Sequence, residues 1–430
     1  MHRKKSPSTL CSASFIVLTL LLATTAWGQR KVLYSFTGGA DGSGPAAGLI
    51  SDSSGNLYGT TGLGGSQAGQ CLSLGGCGVV FELTPNSDGT WTDHTIHTFV
   101  GGADGIQPHG SLVFDSTGNL YGTTIYGGTG CTGYYNCGTV YELSPDGKGS
   151  WTETIIYNFQ GGTDGNYPQA GLVARDGNFY GTTGFGANTG CNGLGCGTVF
   201  ELTPGQNGTW TEHILYVFQD GADGGEPGSA VAFDKAGNLY GTTAVGGILT
   251  CNPPYGCGAI YELVPGPGSW TENVVHTFDC GKTGCFPTTG VAVDGNGNLF
   301  GNIIGGPSGY GFVFMLNPST GKLTVLHSFD LVHGAEPGAT PVFDAAGKLY
   351  GTTVIGGGGN QLCSHGCGGV FRLEQFGNGL AYSFVGLGLP TNGAGPEGSL
   401  IFDALGNAYG TASGGGSGGG GGTVFEIVVH

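Results

Sequence analysis

Charge is scarce: only 10% of the 430 residues are Asp, Glu, Lys or Arg, and 12 of those are basic against 29 acidic. So small a charged fraction excludes long, solvated helices laced with ion pairs. The shortage of Lys and Arg argues against nucleic acid and anionic membranes as partners, because both are bound through counterion release by cations. Long apolar runs are missing too. Past residue 28 no segment could anchor the chain in a bilayer, so no membrane insertion is expected. Nor does anything read as G-x-S-x-G, H-E-x-x-H or a phosphate-binding glycine loop at a strand-to-helix change. That removes the plainest signatures of serine hydrolases, zinc proteases and nucleotide enzymes.

Glycine is what the chain has in excess, with 94 Gly and 19 Pro. The glycines do not recur every third residue, which rules out collagen. With 23 Phe, 18 Tyr and 5 Trp, the chain carries more aromatic surface than a disordered polymer needs, and a packed β protein is left. Residues 1–28 read as a secretory signal: Arg3, Lys4 and Lys5, then an apolar stretch from Phe15 to Ala23, then a small-x-small site at Ala26-Trp27-Gly28. Its removal takes away three basic and no acidic residues, leaving a chain more negative than the formal −17 of the whole. Residues 29–430 are expected to form one domain, secreted or extracytoplasmic, in the periplasm or at the cell surface. The final strand runs from Thr423 to Val429, so no carboxy-terminal anchor is expected.

A unit of roughly 50 to 63 residues recurs from Lys31 onward. Each unit has a strand ending in an aromatic pair such as Tyr34-Ser35-Phe36 or His97-Thr98-Phe99, with Tyr382-Ser383-Phe384 as the seventh. A glycine-rich loop then leads to a proline: Pro45, Pro108, Pro168, Pro227, Pro287, Pro337 and Pro396. Strand A follows, apolar and expected to be innermost with both faces buried. In units 1, 2, 4, 5 and 7 an Asp-x-x-Gly-Asn turn leads to strand B; in the third unit it shortens to Asp176-Gly177, a two-residue type I′ signal. Strand C, as in Gly138-Thr139-Val140-Tyr141-Glu142-Leu143, and an outer strand D complete the unit. The segment after residue 28 is a D strand with no A, B or C before it, and the last unit has A, B and C but no D. The expected fold is therefore an all-β, seven-bladed β-propeller of four-stranded antiparallel blades, closed by the N-terminal strand completing the last blade.

These units resemble the Gloeo-Verruco (GloVer) tandem repeat of exported bacterial proteins. The resemblance rests on G-N-L-Y-G-T-T at Gly55 to Thr61, Gly118 to Thr124 and Gly237 to Thr243, modified in the other units, and on the G-T-V-F-E-L strand. The order of proline, apolar run and D-x-x-G-N is similar, more distantly, to NHL-type propeller repeats. The resemblance implies an exported repeat protein and little about activity.

Apart from Cys11 the cysteines form six close pairs, Cys71/Cys77, Cys131/Cys137, Cys191/Cys196, Cys251/Cys257, Cys280/Cys285 and Cys363/Cys367. In an exported chain these read as disulfides, since each unit offers only two thiolates and a zinc site would need loops of different blades to meet. Five pairs lie in B–C loops and one in a D–A loop, which strand alternation places on one face. Asp41, Asp104, Asp164 and Asp223 stand on that face in G-[AT]-D-G, as turn formers or as candidate ligand-binding residues. Ca²⁺ is the cofactor they leave open, although no D-x-D-x-D-G loop occurs; otherwise no cofactor is expected. No catalytic residue and no metal site is assigned. The expected function is a monomeric binding or scaffold module that recognises an extracellular glycan or protein through the disulfide-bearing face. The rivals are a polysaccharide lyase or hydrolase drawing single residues from several blades to the axis, and a structural envelope protein without a specific ligand.

Overall fold

The computed structural model describes residues 28–131, 137–281, 283–359, 363–377 and 379–429, so nearly all of the expected signal segment lies outside the described residues. Seven antiparallel sheets follow one another around a ring. Blade 1 is built from Ile50–Ser51 (A), Leu57–Thr61 (B), Val79–Pro85 (C) and Trp91–Thr98 (D), hydrogen-bonded in that order. Blades 2 and 6 carry one more short inner strand, Ile106–Pro108 and Ala335–Pro337, paired with the far end of strand B. Blade 7 takes Ile401–Phe402, Ala408–Ala412 and Thr423–Val428 from the end of the chain and Gln29–Ser35 from its start. The two ends pair antiparallel from Gln29↔Val428 to Ser35↔Thr423.

Strands B and C hold the core. Val79, Val80, Phe81 and Leu83 are fully buried and alternate with half-buried Glu82 and Thr84. Strand A, expected to be buried on both faces, has only two or three ladder residues and is half-buried. Its pairing with B runs for two residues in blade 1, because the chain bends past the inner edge of the sheet instead of continuing as a long central strand. The A–B turns behave as their sequences imply. Asp52 Oδ1 accepts the Ser54 and Asn56 N–H groups at 2.8 and 2.9 Å. In blade 3 Arg175 pairs with Asn178, and Asp176 and Gly177 have φ of 53° and 84°, as a type I′ turn requires.

One aromatic joint is repeated at the seams between blades. The last Phe of a D strand lies edge-on against the C-strand aromatic of the next blade: Phe99 on Tyr141 at 5.1 Å, Phe159 on Phe200 at 5.2 Å, Phe218 on Tyr261 at 5.1 Å. The joint between blades 7 and 1 is the same, Phe36 on Phe81 at 5.0 Å. Strand B threonines tie the same seams: Thr123 donates to Ala170 O at 3.0 Å and Thr411 to Ala47 O at 2.7 Å. Blade 6 departs from the aromatic pattern. Its C–D ladder has no bulge, whereas the other D strands skip one residue, such as Ile96 between His97 and Thr95. The seam position, defined by the N–H bond that Phe99 makes to Gly78 O, is therefore taken by Leu387, bonded to Gly368 O at 2.9 Å, and not by Phe384.

Candidate functional site

All six cysteine pairs are bridged within their own loops, with Cα–Cα separations from 4.5 to 5.7 Å. Beside them stands a ring that sequence spacing did not reveal. The residue before each blade proline is in the left-handed region: Gly44, Gln107, Tyr167, Glu226, Phe286, Glu336 and Gly395, with φ from 52° to 67°. Proline disfavours compact backbone in the residue before it, so five non-glycine residues here store strain that the surroundings hold in place. The holding contacts are visible. The N–H of Gln107 donates to Cys77 O at 2.8 Å, Tyr167 to Cys137 O at 3.1 Å, Glu226 to Cys196 O at 2.9 Å, Phe286 to Cys257 O at 3.0 Å and Gly395 to Cys367 O at 3.1 Å. The second cysteine of each B–C pair thus carries the carbonyl that clamps the entry of the next blade. Glycine is required inside these loops: Gly76 has φ 115°, and a Cβ there would meet Gly64 O at 2.1 Å.

The D–A bridge has its own setting. The pair Cys280/Cys285 was expected to staple a D–A loop on the same face as the five B–C pairs. The bridge itself is present, with a Cα–Cα separation of 4.5 Å, but it runs inward from exposed Cys280 to buried Cys285. Cys285 is 8% exposed and belongs to the apolar cluster that contains Ile303 and Phe312. Its sulfur lies against the B–C loop of blade 5, where a Cβ on Gly305 would meet Cys285 Sγ at 2.7 Å. Cys285 does not take the clamping role of the other second cysteines. The corresponding bond to the next blade, from the Glu336 N–H, ends on Tyr310 O at 3.0 Å. Cys285 therefore anchors its loop into blade 5, as the second cysteines of the other five pairs, all buried as well, anchor theirs.

The residues just after the prolines line up around the axis. A Cβ on Gly228 would meet the Gln169 amide at 2.1 Å, and one on Gly338 would meet Glu397 Cα at 3.0 Å. Two members of this ring are ionisable, His109 and Glu397. The protein atoms crowded around the His109 imidazole, whose surface is still exposed, hold it below its usual range while the Glu397 carboxylate opposes that shift. Ser413 Oγ donates to Glu397 at 3.2 Å. His109 was not singled out in the sequence; its place directly after Pro108 was the available signal.

The four G-[AT]-D-G aspartates do not converge on the axis. Each lies in a different seam between D strands and is bonded by the Tyr or His of the preceding strand. Asp41 accepts from Tyr34 Oη at 3.1 Å, Asp104 contacts His97 Nε2 at 3.0 Å, and Asp164 and Asp223 accept from Tyr157 and Tyr216 Oη at 2.6 and 3.1 Å. Backbone N–H groups of their own loops close a turn around each, as from Thr37 to Asp41 and Gln219 to Asp223. A second carboxylate from the next blade then faces the first: Asp93, Glu153, Glu212 and Glu272. Burial and the neighbouring aspartate push Asp93 up to about 6, Glu153 to about 8, Glu212 to about 9 and Glu272 to about 7. The aspartate side keeps its charge where bonds suffice. Burial works against the Asp104 charge, but the bonds from His97 and the Val100 N–H outweigh it and hold the carboxyl below its usual range.

Among the described residues, three groups bring three ligand atoms within 4.8 Å of one another: Cys251, Cys257 and Cys280; Cys191, Cys196 and Asp220; and His97, Asp104 and Glu153. The sulfurs are tied up while bridged. The first group does bring the B–C loop of blade 4 against the following D–A loop, with Cys257 Sγ 2.9 Å from Cys280 Sγ, a meeting that cysteine spacing alone did not foresee. Mass spectrometry of the unreduced protein is expected to find six loop-internal bridges, with peptides linked through Cys251–Cys257 and Cys280–Cys285. A Cys257–Cys280 linkage that leaves Cys285 free, or free thiols at most sites, would contradict the pairing.

The model of the Gloeobacter/Verrucomicrobia repeat matches residues 19–190, 125–364 and 254–430. No curated protein matches the chain. Among solved structures, the chain is similar to the extracellular domain of a one component system of B. thetaiotaomicron, at 10% identity and TM-score 0.50 over 93% of this chain and 39% of that one. A puromycin hydrolase matches at 12% identity and TM-score 0.54, over 90% of this chain and 52% of that one. A gluconolactonase of Xanthomonas campestris matches at 16% identity and TM-score 0.42, over 75% of this chain and 85% of that one. The chain thus spans 39% and 52% of the first two, and at such identities the likeness is one of fold alone.

Proposed function

Because the chain belongs to the Gloeobacter/Verrucomicrobia repeat family, and that repeat builds a closed propeller here, we propose that it is an extracytoplasmic binding module that engages a glycan or a protein through the disulfide-bearing face. One observation carries this reading: five B–C loops of that face are braced twice, by a bridge within the loop and by a bond from the cysteine carbonyl to the next blade. The A–B turns of the opposite face receive no such bridges among the described residues, and ordering loops in advance lowers the entropy cost of binding. The disulfides fit an oxidising compartment outside the cytoplasm. Among the described residues no helix is long and apolar enough to cross a membrane.

The test is a thermal-shift screen of residues 29–430, oxidised, against polysaccharides and oligosaccharides, with Ca²⁺ and chelator arms. A cognate glycan at 100 times its Kd is expected to add about 2.7 kcal/mol of stability. A saturable shift with one glycan supports the reading; no shift with any glycan and no protein partner captured would transfer the weight to a structural role. A shift with Ca²⁺ alone would make the aspartate turns cation sites.

A second reading has its own observation, two unlike ionisable groups in the ring after the prolines, His109 and Glu397, near enough for the carboxylate to act on the imidazole. An enzyme would need two unlike ionisable groups there to act as acid and base. If a glycan that shifts stability is also cleaved, and His109→Ala abolishes cleavage while leaving the thermal shift, the enzymatic reading replaces the first.

A further inference from the structure

The seam between blades 5 and 6 lacks the plug that four other seams carry. Trp91, Trp151, Trp210 and Trp270 begin the D strands of blades 1 to 4, each paired with the last residue of strand C. The indoles reach back over the preceding blade: Trp151 lies 6.3 Å from Tyr58, Trp210 5.9 Å from Tyr121 and Trp91 6.4 Å from Tyr409, while Trp270 packs against the cluster that contains Tyr180. In blade 6 the equivalent position, paired with Gln375, is Leu380. Where the plug is present the remaining hollow measures 410 Å³ beside Trp210 and 550 Å³ beside Trp91. In the seam between blades 5 and 6 it is 730 Å³, within the size range of small-molecule sites.

The wall opposite the missing plug has changed with it. In five blades a B-strand Tyr stands across from a C-strand Glu, as Tyr58 from Glu82, where the hydroxyl donates at 2.9 Å. In blade 5 the same register pairs Phe300 with Met315, so hydroxyl and carboxylate are lost together. The floor is kept: Phe300 meets Phe343 edge-on at 5.0 Å, as Tyr58 meets Phe114 at 5.2 Å. At the lip stand two A–B turn aspartates, Asp294 and Asp344, and none of the residues lining the slot is basic. The Asp344 carboxylate receives the Tyr350 hydroxyl at 3.2 Å. Among the described residues Asp294 receives only the bonds of its own turn, from Asn296 and Asn298, because Phe300 has no hydroxyl to give.

We infer that this slot is a binding site for a cationic aromatic amine of the arylethylamine class. The ring takes the place that a cis indole fills in four seams, and the amine or ring N–H meets Asp294. Charge complementarity selects the cation, since the charged residues lining the slot are carboxylates and the ammonium nearest the lip, that of Lys235, is held on Gly295 O at 2.9 Å. The slot opens among A–B turns, on the face opposite the disulfides, so it stands apart from the proposed glycan or protein surface.

The probe is tryptamine, titrated calorimetrically into oxidised residues 29–430, with indole-3-propionate as the anionic counterpart. Saturable binding is expected, with tryptamine favoured over the anion by at least about 10-fold. Leu380→Trp, which restores the plug, should weaken tryptamine by at least about 10-fold, and Asp294→Asn should remove most of the preference for the cation. Both variants are surface or lip changes whose folding is checked by an unchanged unfolding midpoint or a raised one. No saturable binding up to ~5 mM, or equal binding by Leu380→Trp, overturns the site; equal affinity for amine and acid overturns the assignment of charge.

Discussion

A chain that begins at Thr37 is expected to lose its cooperative unfolding transition and to associate, although only eight residues of the 29–430 stretch have been removed. Without Gln29–Ser35, strand Thr423–Val428 becomes a bare edge with its ladder groups unpaired, a template for pairing between molecules. The seam between blades 7 and 1 also loses Phe36, which is fully buried and touches Phe81. The point variant Phe36→Ala isolates the second effect and should cost about 3–5 kcal/mol, the range for emptying a buried Phe site. The discriminating comparison is with Phe159→Ala at an interior seam, whose Phe is equally buried and meets Phe200 at nearly the same distance. In a closed ring the two substitutions cost the same; in an open array the terminal one is cheap, because the end unit can fray. Calorimetry and size-exclusion chromatography decide it. A sharp transition and a monomeric profile for the shortened chain would show that the clasp adds little.

Closure was legible in the sequence because it is written at the two ends, a D strand without partners and a last unit without D. Turn chemistry was legible for a similar reason: Asp176-Gly177 fixes its own backbone, and the structure gives both residues positive φ. What a repeat alignment cannot show is contact between units. The signal for the carboxylate pairs was present, since W-T-[DE] occurs in the same four units as G-[AT]-D-G, but Asp104 and Glu153 meet only because neighbouring D strands lie side by side. Cysteine spacing had the same limit: it paired Cys280 with Cys285, yet it could not show that Cys285 points into the blade while Cys280 stays exposed. The seventh aromatic pair misled for a different reason. Tyr382-Ser383-Phe384 matches the motif in letters, yet loss of one bulge shifts the strand, Leu387 enters the seam, and Tyr382 stacks on His327 at 3.5 Å instead. The left-handed ring before the prolines had no sequence signal, because five of its seven residues are of types that rarely adopt that conformation.

The seam carboxylates make stability fall as pH rises. Asp93, Glu153, Glu212 and Glu272 are all raised in the folded state, so each binds its proton more tightly folded than unfolded. Their contribution is complete below the unfolded values near 4 and is lost as pH climbs through the folded values, from about 6 for Asp93 to about 9 for Glu212. Asp41 and Asp104 act the other way: both are lowered, so what they add is present above the unfolded value and disappears as pH falls. The lowered His109, His276 and His327 also add stability as pH rises to their unfolded value of 6.5, so the trends nearly balance in the mildly acidic range and the decline is expected chiefly from about pH 6.5 to 9. Glu212 gives the cleanest test. Its Oε2 lies 3.0 Å from the Tyr157 hydroxyl, which also donates to Asp164 at 2.6 Å, so a neutral Glu212 can donate into the cluster where an anion would face Asp164. Glu212→Gln fixes that neutral form. At pH 5 the variant should match the parent; at pH 9 it should be more stable by about 2 kcal/mol, a figure set well below the full linkage value because the seam is partly solvated. Asp164→Asn removes the like charge instead and should flatten the same slope. Urea unfolding at several pH values reads all three. A parent whose stability is level from pH 5 to 9, or a Glu212→Gln chain that gains nothing at the alkaline end, would mean that both carboxylates of the seam are already ionised and held apart.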